Sequence, residues 1–570
     1  RPMRDYEVAG LAKQRLPNLK IEANTYGADR AIGRKSTLKS SPWFSKKPRL
    51  ALDALKDDAV LPPWTPIKRQ AGIFEVWNRK YDLTGSGIFS KISSGNIKLL
   101  DSPVEFMIDT NGYKGALTFN APRVITADKG RVVVERKAKV FGGMKAALRY
   151  MIEFDGMVWC TLTIEPNGKP VNKLTLDVPV NAQTAKFIHY VGAPRKYESQ
   201  DLVKNSYSRE LGSNPGILFK SPQRTNVWLG DNERGLLWFA ESDQYWYPKD
   251  RDDYIIVKRS SDNKVNMTLQ MITKPLPVKK DMKLEIKFGF MATPVKPLPK
   301  SWRGMTFSAQ YDSFKNETRG STLIYWPNEW RAMMLDPEPY RAVNANKTKD
   351  KVSADRKAGR RIVPYWTRLH YVSKDKNKIN PDADKVHDAW ATEPNRPGGG
   401  SHQVFRAACT SPWQDYLVWC TDSWAKIMGH IDGVYIDETQ PIPNTKATSG
   451  GGYTDVDGKR HATFEIFGSR DLIKRINWNI WKRNKGQAPF SIAHCSATHT
   501  MPTLSMYGAM LIGEQYYSGY FKGRNPELLP PNDKERLYYY SYALPMDRLR
   551  TECYWKQWGA AMVWLPCLKN

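Results

Sequence analysis

The chain has 570 residues, 41% of them hydrophobic and 25% charged, which is too long for one core and ordinary for a globular protein of two or three domains. Its 87 Lys and Arg against 58 Asp and Glu leave a formal charge of +29, a field that draws in anions such as nucleic acid, acidic polysaccharide or a cell surface. No RNA-binding signature, zinc-finger spacing, Cys-x-x-Cys or membrane-length apolar run accompanies that charge, which argues against nucleic-acid binding, zinc-ribbon or redox chemistry, and a bilayer span.

Residues 1–60 read as a polar, irregular arm, with twelve basic and four acidic residues in the first fifty. The chain begins at Arg1 with neither Met nor a signal peptide, as a processed or trimmed form would. Pro62-Pro63 marks the entry into ordered structure. From 61 to 293 the pattern is period two: Leu174, Leu176, Val178 and Val180 alternate with polar partners, as do Val265, Met267, Leu269 and Met271. Leu284, Ile286, Phe288, Phe290 and Ala292 continue it, and Asn167-Gly168 between two runs is a hairpin signal. Alternating strands without amphipathic helices predict an antiparallel β-sandwich. The six cysteines lie far apart and leave disulfides open, while the twenty Trp and twenty-eight Tyr exceed what a core needs and suit sugar-stacking clefts.

Pro294, Pro297 and Pro299 open a stiff linker over 294–319. Beyond it, over 320–570, short apolar strands are expected at 323–326, 362–366, 404–408, 433–437, 490–493, 510–512, 548–552 and 561–565. Residues 413–428 and 469–481 carry the 3.6-residue pattern of crossover helices. Strand alternating with helix predicts a (β/α)8 barrel, although only five residues follow the last strand, so the eighth helix would be missing, displaced or trimmed away. Gly-rich stretches at 397–401 and 449–453 lack the Gly-Lys-Ser/Thr continuation of a phosphate loop and read as lids over the barrel mouth.

One stretch concentrates the chemistry. Val434, Tyr435 and Ile436 form a buried-strand pattern that ends on Asp437 and Glu438, and Pro441 and Pro443 forbid continuation of the ladder. The C-terminal end of a barrel strand is where catalytic groups sit, and two carboxylates there can divide the work of sugar-bond cleavage. The competing reading is an Asp cap followed by a solvated Glu.

Four pieces together resemble bacterial glycoside hydrolase family 123 and uncharacterised families close to it. They are Arg234-Gly-Leu-Leu-Trp-Phe-Ala-Glu-Ser242, Ala292-Thr-Pro-Val-Lys-Pro-Leu-Pro299, Gly433-Val-Tyr-Ile-Asp-Glu438 and Gly513-Glu514. The resemblance implies a β-sandwich joined to a (β/α)8 barrel, and exo-cleavage of β-linked N-acetylgalactosamine by a substrate-assisted, retaining mechanism. It further implies that Asp437 steadies the cyclised acetamido group and that Glu438 protonates the leaving oxygen. A negative Asp437 beside it, with burial, would keep the proton on Glu438. A further β-domain usual after the barrel is lacking.

At other predicted strand ends stand Tyr325, Trp326, Trp366, Arg368, His494, Glu514, Tyr516, Tyr517 and Trp564, each able to line a sugar subsite or to be a satisfied rim residue. His494 and His499 have no obvious third ligand, so neither a metal nor another cofactor is expected. The expected partner is a glycan, an anionic one suiting the chain's charge, met by a secreted, periplasmic or cell-surface protein. Two further readings stay open: a glycosidase of anionic or sulfated polysaccharide, and a carbohydrate-binding protein without turnover.

Overall fold

The computed structural model describes residues 59–139, 142–192, 206–299, 302–311, 321–326, 349–366, 371–373, 390–393, 404–409, 411–495, 498–513 and 546–564. Two antiparallel sheets of nine and six strands fill the first half, preceded by a five-stranded sheet spanning Lys68–Gln70 to Ile97–Lys98. The alternating runs do what their period requires. Leu174, Leu176, Val178 and Val180 are buried on Val171–Val180, opposite Leu269 and Met267 of Val265–Ile272. Leu284, Ile286, Phe288 and Phe290 on Leu284–Thr293 close the core from the nine-stranded sheet. Each such side chain contributes about 1.5–3 kcal/mol on burial.

Asn167 and Gly168 adopt the left-handed conformations of their turn, with φ of 51° and 77°. They do not form a hairpin, however. Met157–Glu165 pairs within the nine-stranded sheet and Val171–Val180 within the six-stranded one, so the turn carries the chain from one layer to the other.

The second half holds a sheet of seven parallel strands in chain order: Phe307–Tyr311, Thr322–Trp326, Arg361–Trp366, Tyr435–Ile436, Ile492–His494, Ala509–Ile512 and Ala561–Trp564. The sheet curls into a nearly closed barrel. Ile324, Val363, Tyr365, Tyr435, Ile492, Leu511 and Val563, drawn from the second to the last strand, pack into one interior cluster. The alternate residues Leu323, Ile362, Val434, Ile436, Ala493 and Met510 face the crossover helices, which include Ser411–Met428 and Ile466–Arg483.

Three sequence assignments change. Phe307–Tyr311, inside the expected Pro-rich linker, is the first barrel strand. Val404–Arg406 pairs antiparallel with Tyr371–Ser373 in a ribbon outside the barrel. The stretch expected as a strand at 548–552 is helical, with Met546–Arg548 running into a π-turn at Leu549–Cys553 and an Arg548 Nε to Glu552 Oε1 bond of 3.1 Å along that coil. Among the described residues the barrel therefore has seven strands rather than eight, and Asp437 still follows the fourth.

The sandwich and the barrel meet through buried charge. Arg470, on the helix after the fourth strand, forks onto Asp155 with Nη1 and Nη2 each 2.7 Å from a carboxylate oxygen, and its Nε lies 3.0 Å from Glu153. Lys474 Nζ (3.0 Å) and Arg131 Nη2 (2.7 Å) also donate to Glu153, and Ser505 Oγ to Asp155 (2.6 Å). Burial alone would raise the Glu153 carboxyl. Lys474, Arg470 and Arg131 outweigh it and hold Glu153 well below the usual range. Asp155 is lowered in the same way, chiefly by Arg470.

Because both carboxylates are depressed in the folded state, their contribution is present above their ordinary values and is lost as pH falls from there through the lowered folded-state values. Arg470→Met is expected to cost about 3–5 kcal/mol, since it strands two buried carboxylates. Lys80→Ala, which breaks the exposed Lys80–Glu75 pair, should cost less than about 1 kcal/mol. Urea unfolding at pH 7 checks both, and comparable small losses would remove the cluster from its place in the fold.

Candidate active site

The fourth strand brings the carboxylates to the barrel mouth. Tyr435 pairs with Tyr365 on one side and Ile492 on the other, in parallel register. Gly433, just before it, runs so close that a Cβ there would lie 2.0 Å from the Phe490 carbonyl oxygen. Asp437 stands two residues beyond the inward-facing Tyr435 and so shares its face.

Three donors converge on Asp437. The Tyr365 hydroxyl donates to Oδ2 at 2.8 Å, His494 Nδ1 lies 2.8 Å from Oδ1, and the Glu438 backbone N–H donates to Oδ1 at 2.9 Å. The Tyr365 and Tyr435 rings stack at 4.9 Å, and the Tyr435 hydroxyl lies 2.9 Å from the same His494 nitrogen. An ionised Asp437 only accepts, so the contact assigns the proton to His494 Nδ1. His494 is itself fixed, its carbonyl accepting from both the N–H and the hydroxyl of Thr439. The result is a carboxylate oriented from three strands, with its side chain 18% exposed.

Glu438 takes φ of +50°, a left-handed conformation that costs a non-glycine residue about 1–2 kcal/mol. The kink interrupts the regular two-residue alternation of the strand at Glu438, whose side chain is half-buried. Strain of this kind gathers at functional sites.

The chain then folds back twice. Pro443–Asn444 pairs with Thr463–Phe464, and Tyr453–Thr454 with Arg460–His461. The Gly-rich run at 449–453, expected as a lid, is packed down instead. Arg460 donates to the Thr445 and Gly451 carbonyls at 2.9 and 2.7 Å, and a Cβ on Gly451 would meet the Asn444 side chain at 2.3 Å. Glu465 closes this segment, accepting from the Cys409 N–H and from Asn444 Nδ2 at 3.1 Å.

Of the other expected site residues, His494 is brought to Asp437. Tyr325 is on the outward face: its hydroxyl donates to Asp355, and its ring joins the core beneath the helices. Trp564 shares parity with Met562, away from the interior, and is 41% exposed. Trp326 and Trp366 end the second and third strands, but their side chains, like the whole of Arg368, Glu514, Tyr516 and Tyr517, lie outside the described residues. So does the stretch 397–401 that was read as the other lid. Tyr365 and Tyr435 were not singled out from sequence. Period-two parity from Val363 and from Asp437 was the signal that could have found them.

Residues 73–294, most of the sandwich half, match the family model for glycoside hydrolase 123, third domain. That match is consistent with glycoside hydrolase family 123 or a related glycoside hydrolase family. It is a glycoside hydrolase, and its substrate is a glycan. No curated protein sequence matches it significantly. Among solved structures, the galactosidase domain of the α-galactosidase-sucrose kinase AgaSK is 10% identical at a TM-score of 0.36, covering 78% of this chain and 73% of that one. The α-N-acetylgalactosaminidase NagBb from Bifidobacterium bifidum, in complex with GalNAc, is 10% identical at 0.30, covering 78% of each. Overlaps this loose constrain neither fold nor activity. No described helix is long and apolar enough to cross a membrane.

Burial pushes the Glu465 carboxyl up to about 7, against the pull of the Cys409 N–H and the Asn444 amide. The folded state therefore keeps a proton that the unfolded chain releases near 4.5, and stability present at acid pH is lost as pH rises toward about 7. Glu465→Gln should flatten that part of the melting-temperature profile relative to the wild type. A Tm difference that does not change between pH 4.5 and 8 would contradict a Glu465 that titrates in the folded state.

Proposed function

We propose that this glycoside hydrolase is a retaining exo-β-N-acetylhexosaminidase of the β-N-acetylgalactosaminidase kind, using Asp437 and Glu438 with the substrate's own acetamido group. The observation that carries the reading is the Asp437 carboxylate, held by Tyr365, His494 and the Glu438 N–H at the end of the fourth strand, with Glu438 next in the chain in a left-handed kink. A carboxylate so surrounded by donors keeps its direction, which stabilising a developing cation needs.

In the first step the acetamido carbonyl oxygen bonds to the anomeric carbon as the glycosidic C–O bond breaks. Glu438 gives its proton to the departing oxygen. The cyclised oxazolinium carries the positive charge and an N–H, to which Asp437 offers its carboxylate. In the second step Glu438 takes a proton from water, the water oxygen bonds to the anomeric carbon, and the ring oxygen of the oxazolinium returns to the acetamide. Two inversions give net retention. Tyr365 and His494 touch Asp437 and act as positioning residues. Substrates of this kind put the enzyme at or beyond a bacterial cell surface.

Glu438→Gln should slow substrates with poor leaving groups by about 10²-fold or more and activated aryl glycosides less, because only the former need the proton to depart. Asp437→Asn should slow both alike, since the intermediate loses its counter-charge whichever group leaves. Steady-state kinetics on a matched substrate pair checks this, and full activity in both variants would place the site elsewhere.

The +29 charge supports a narrower form of the reading, in which the glycan is anionic or sulfated. KM on such a polymer should then rise steeply between low and physiological salt, as the field is screened to about 8 Å at 0.15 M. Equal salt responses on neutral and anionic glycans would leave the charge without a part in substrate choice.

A further inference from the structure

We infer that the β-sandwich sets the position of the acid-bearing loop, with Asp243 as a positioning residue for the Asp437–Glu438 pair. The inference rests on the reading of that pair as catalytic. Asp243 lies just after the sandwich strand Gly235–Phe239, is buried, and has no part in the barrel. Its Oδ1 accepts from the Tyr453 hydroxyl at 2.5 Å and its Oδ2 from the Tyr254 hydroxyl at 3.0 Å. Tyr254 is immobilised by stacking on Trp246 at 5.3 Å, which packs on Trp238 in the sandwich core. One oxygen of Asp243 is thus tied to rigid sandwich, and the other holds a residue of the barrel loop by a short, charge-assisted bond.

From Tyr453 the path back to the acid pair is short and continuous. Its ring stacks on His461 at 5.2 Å, and its strand pairs with Arg460–His461. Thr463–Phe464 follows and pairs with Pro443–Asn444, which begins five residues after Glu438. The sandwich grips this segment a second time through Glu241, whose carbonyl accepts from the Phe464 N–H at 2.7 Å and whose Oε1 accepts from the Phe467 N–H at 2.8 Å. The segment that must hold Glu438 in a left-handed kink is therefore fastened at its far end to another domain. A left-handed non-glycine residue relaxes unless its surroundings over-determine it. The sandwich supplies that constraint.

The test uses the full chain carrying Asp243→Asn, which keeps shape and weakens the charge-assisted bond, and separately Tyr453→Phe, which removes one hydroxyl at the loop end. Hydrogen exchange over 437–464 and kinetics on an aryl β-N-acetylgalactosaminide are measured together. The expected result is exchange over 437–445 at least about 10-fold faster with the sandwich strands unchanged, and kcat lowered about 10-fold with KM within about 2-fold. The double variant should be no worse than the more affected single variant, because the two share one bond. Faster exchange confined to 453–464 with unchanged kcat would make Asp243 an anchor only and overturn the inference, as would unchanged exchange throughout. If the wild type does not turn the glycoside over, the reading of the pair fails by itself. The exchange over 437–445 then still upholds the domain coupling by its rise or overturns it by its absence.

Discussion

The fold depends on keeping Glu153 and Asp155 charged while buried. They lie at the end of the strand Lys145–Glu153 and the turn after it, and they meet Arg470 across more than three hundred residues of chain. Isolated, either carboxylate would be too costly to bury; joined to Arg470, Lys474, Arg131 and Ser505, both are satisfied. The same spot gathers bonds to backbone carbonyls: Arg79 Nη1 donates to the Asp155 carbonyl at 2.7 Å, and the Trp64 indole to the Val295 carbonyl at 2.9 Å. Lys296 donates to the Ser505 and Tyr507 carbonyls on the barrel side, and burial pushes its amine down to about 7. The two domains are therefore specified relative to each other by directional contacts, which a purely apolar interface would leave free to slide.

That fixed relation matters because Arg470 and the acid pair belong to one unit. The helix Ile466–Arg483 begins where the loop after Asp437 and Glu438 ends, so the ion cluster at its first turns and the sandwich grip on Phe464 and Phe467 hold the same segment. At the other end of that loop, Tyr365 and His494 hold Asp437 from the neighbouring strands. Each constraint is of a different kind: buried charge on the helix, backbone pairing in the loop, side-chain donors at the carboxylate. Together they account for the left-handed backbone of Glu438.

What could be read in the sequence follows from what sequence encodes. Leu174 to Val180 and Leu284 to Phe288 alternate because one face of each stretch packs on the core, so the antiparallel half was legible. The strand ending on Asp437 was legible because both its faces are buried and two carboxylates stop it abruptly. Val404–Arg406 misled because an apolar β-prone run looks the same in a barrel and in a ribbon. Phe307–Tyr311 was hidden among prolines, and its Ser and Gln dilute the apolar signal of a barrel strand. Register and distant pairing are not local properties. Nothing near Tyr365 announces that its hydroxyl reaches Asp437, and nothing near Arg470 announces Glu153.

The most direct measurement of the central claim is a crystal structure of the protein with a thiazoline analogue of cyclised N-acetylgalactosamine. The account predicts the thiazoline nitrogen within about 3 Å of an Asp437 carboxylate oxygen and the Glu438 carboxyl facing the anomeric carbon. A ligand held away from Asp437, or one in place with Glu438 turned out of the barrel mouth, would contradict it.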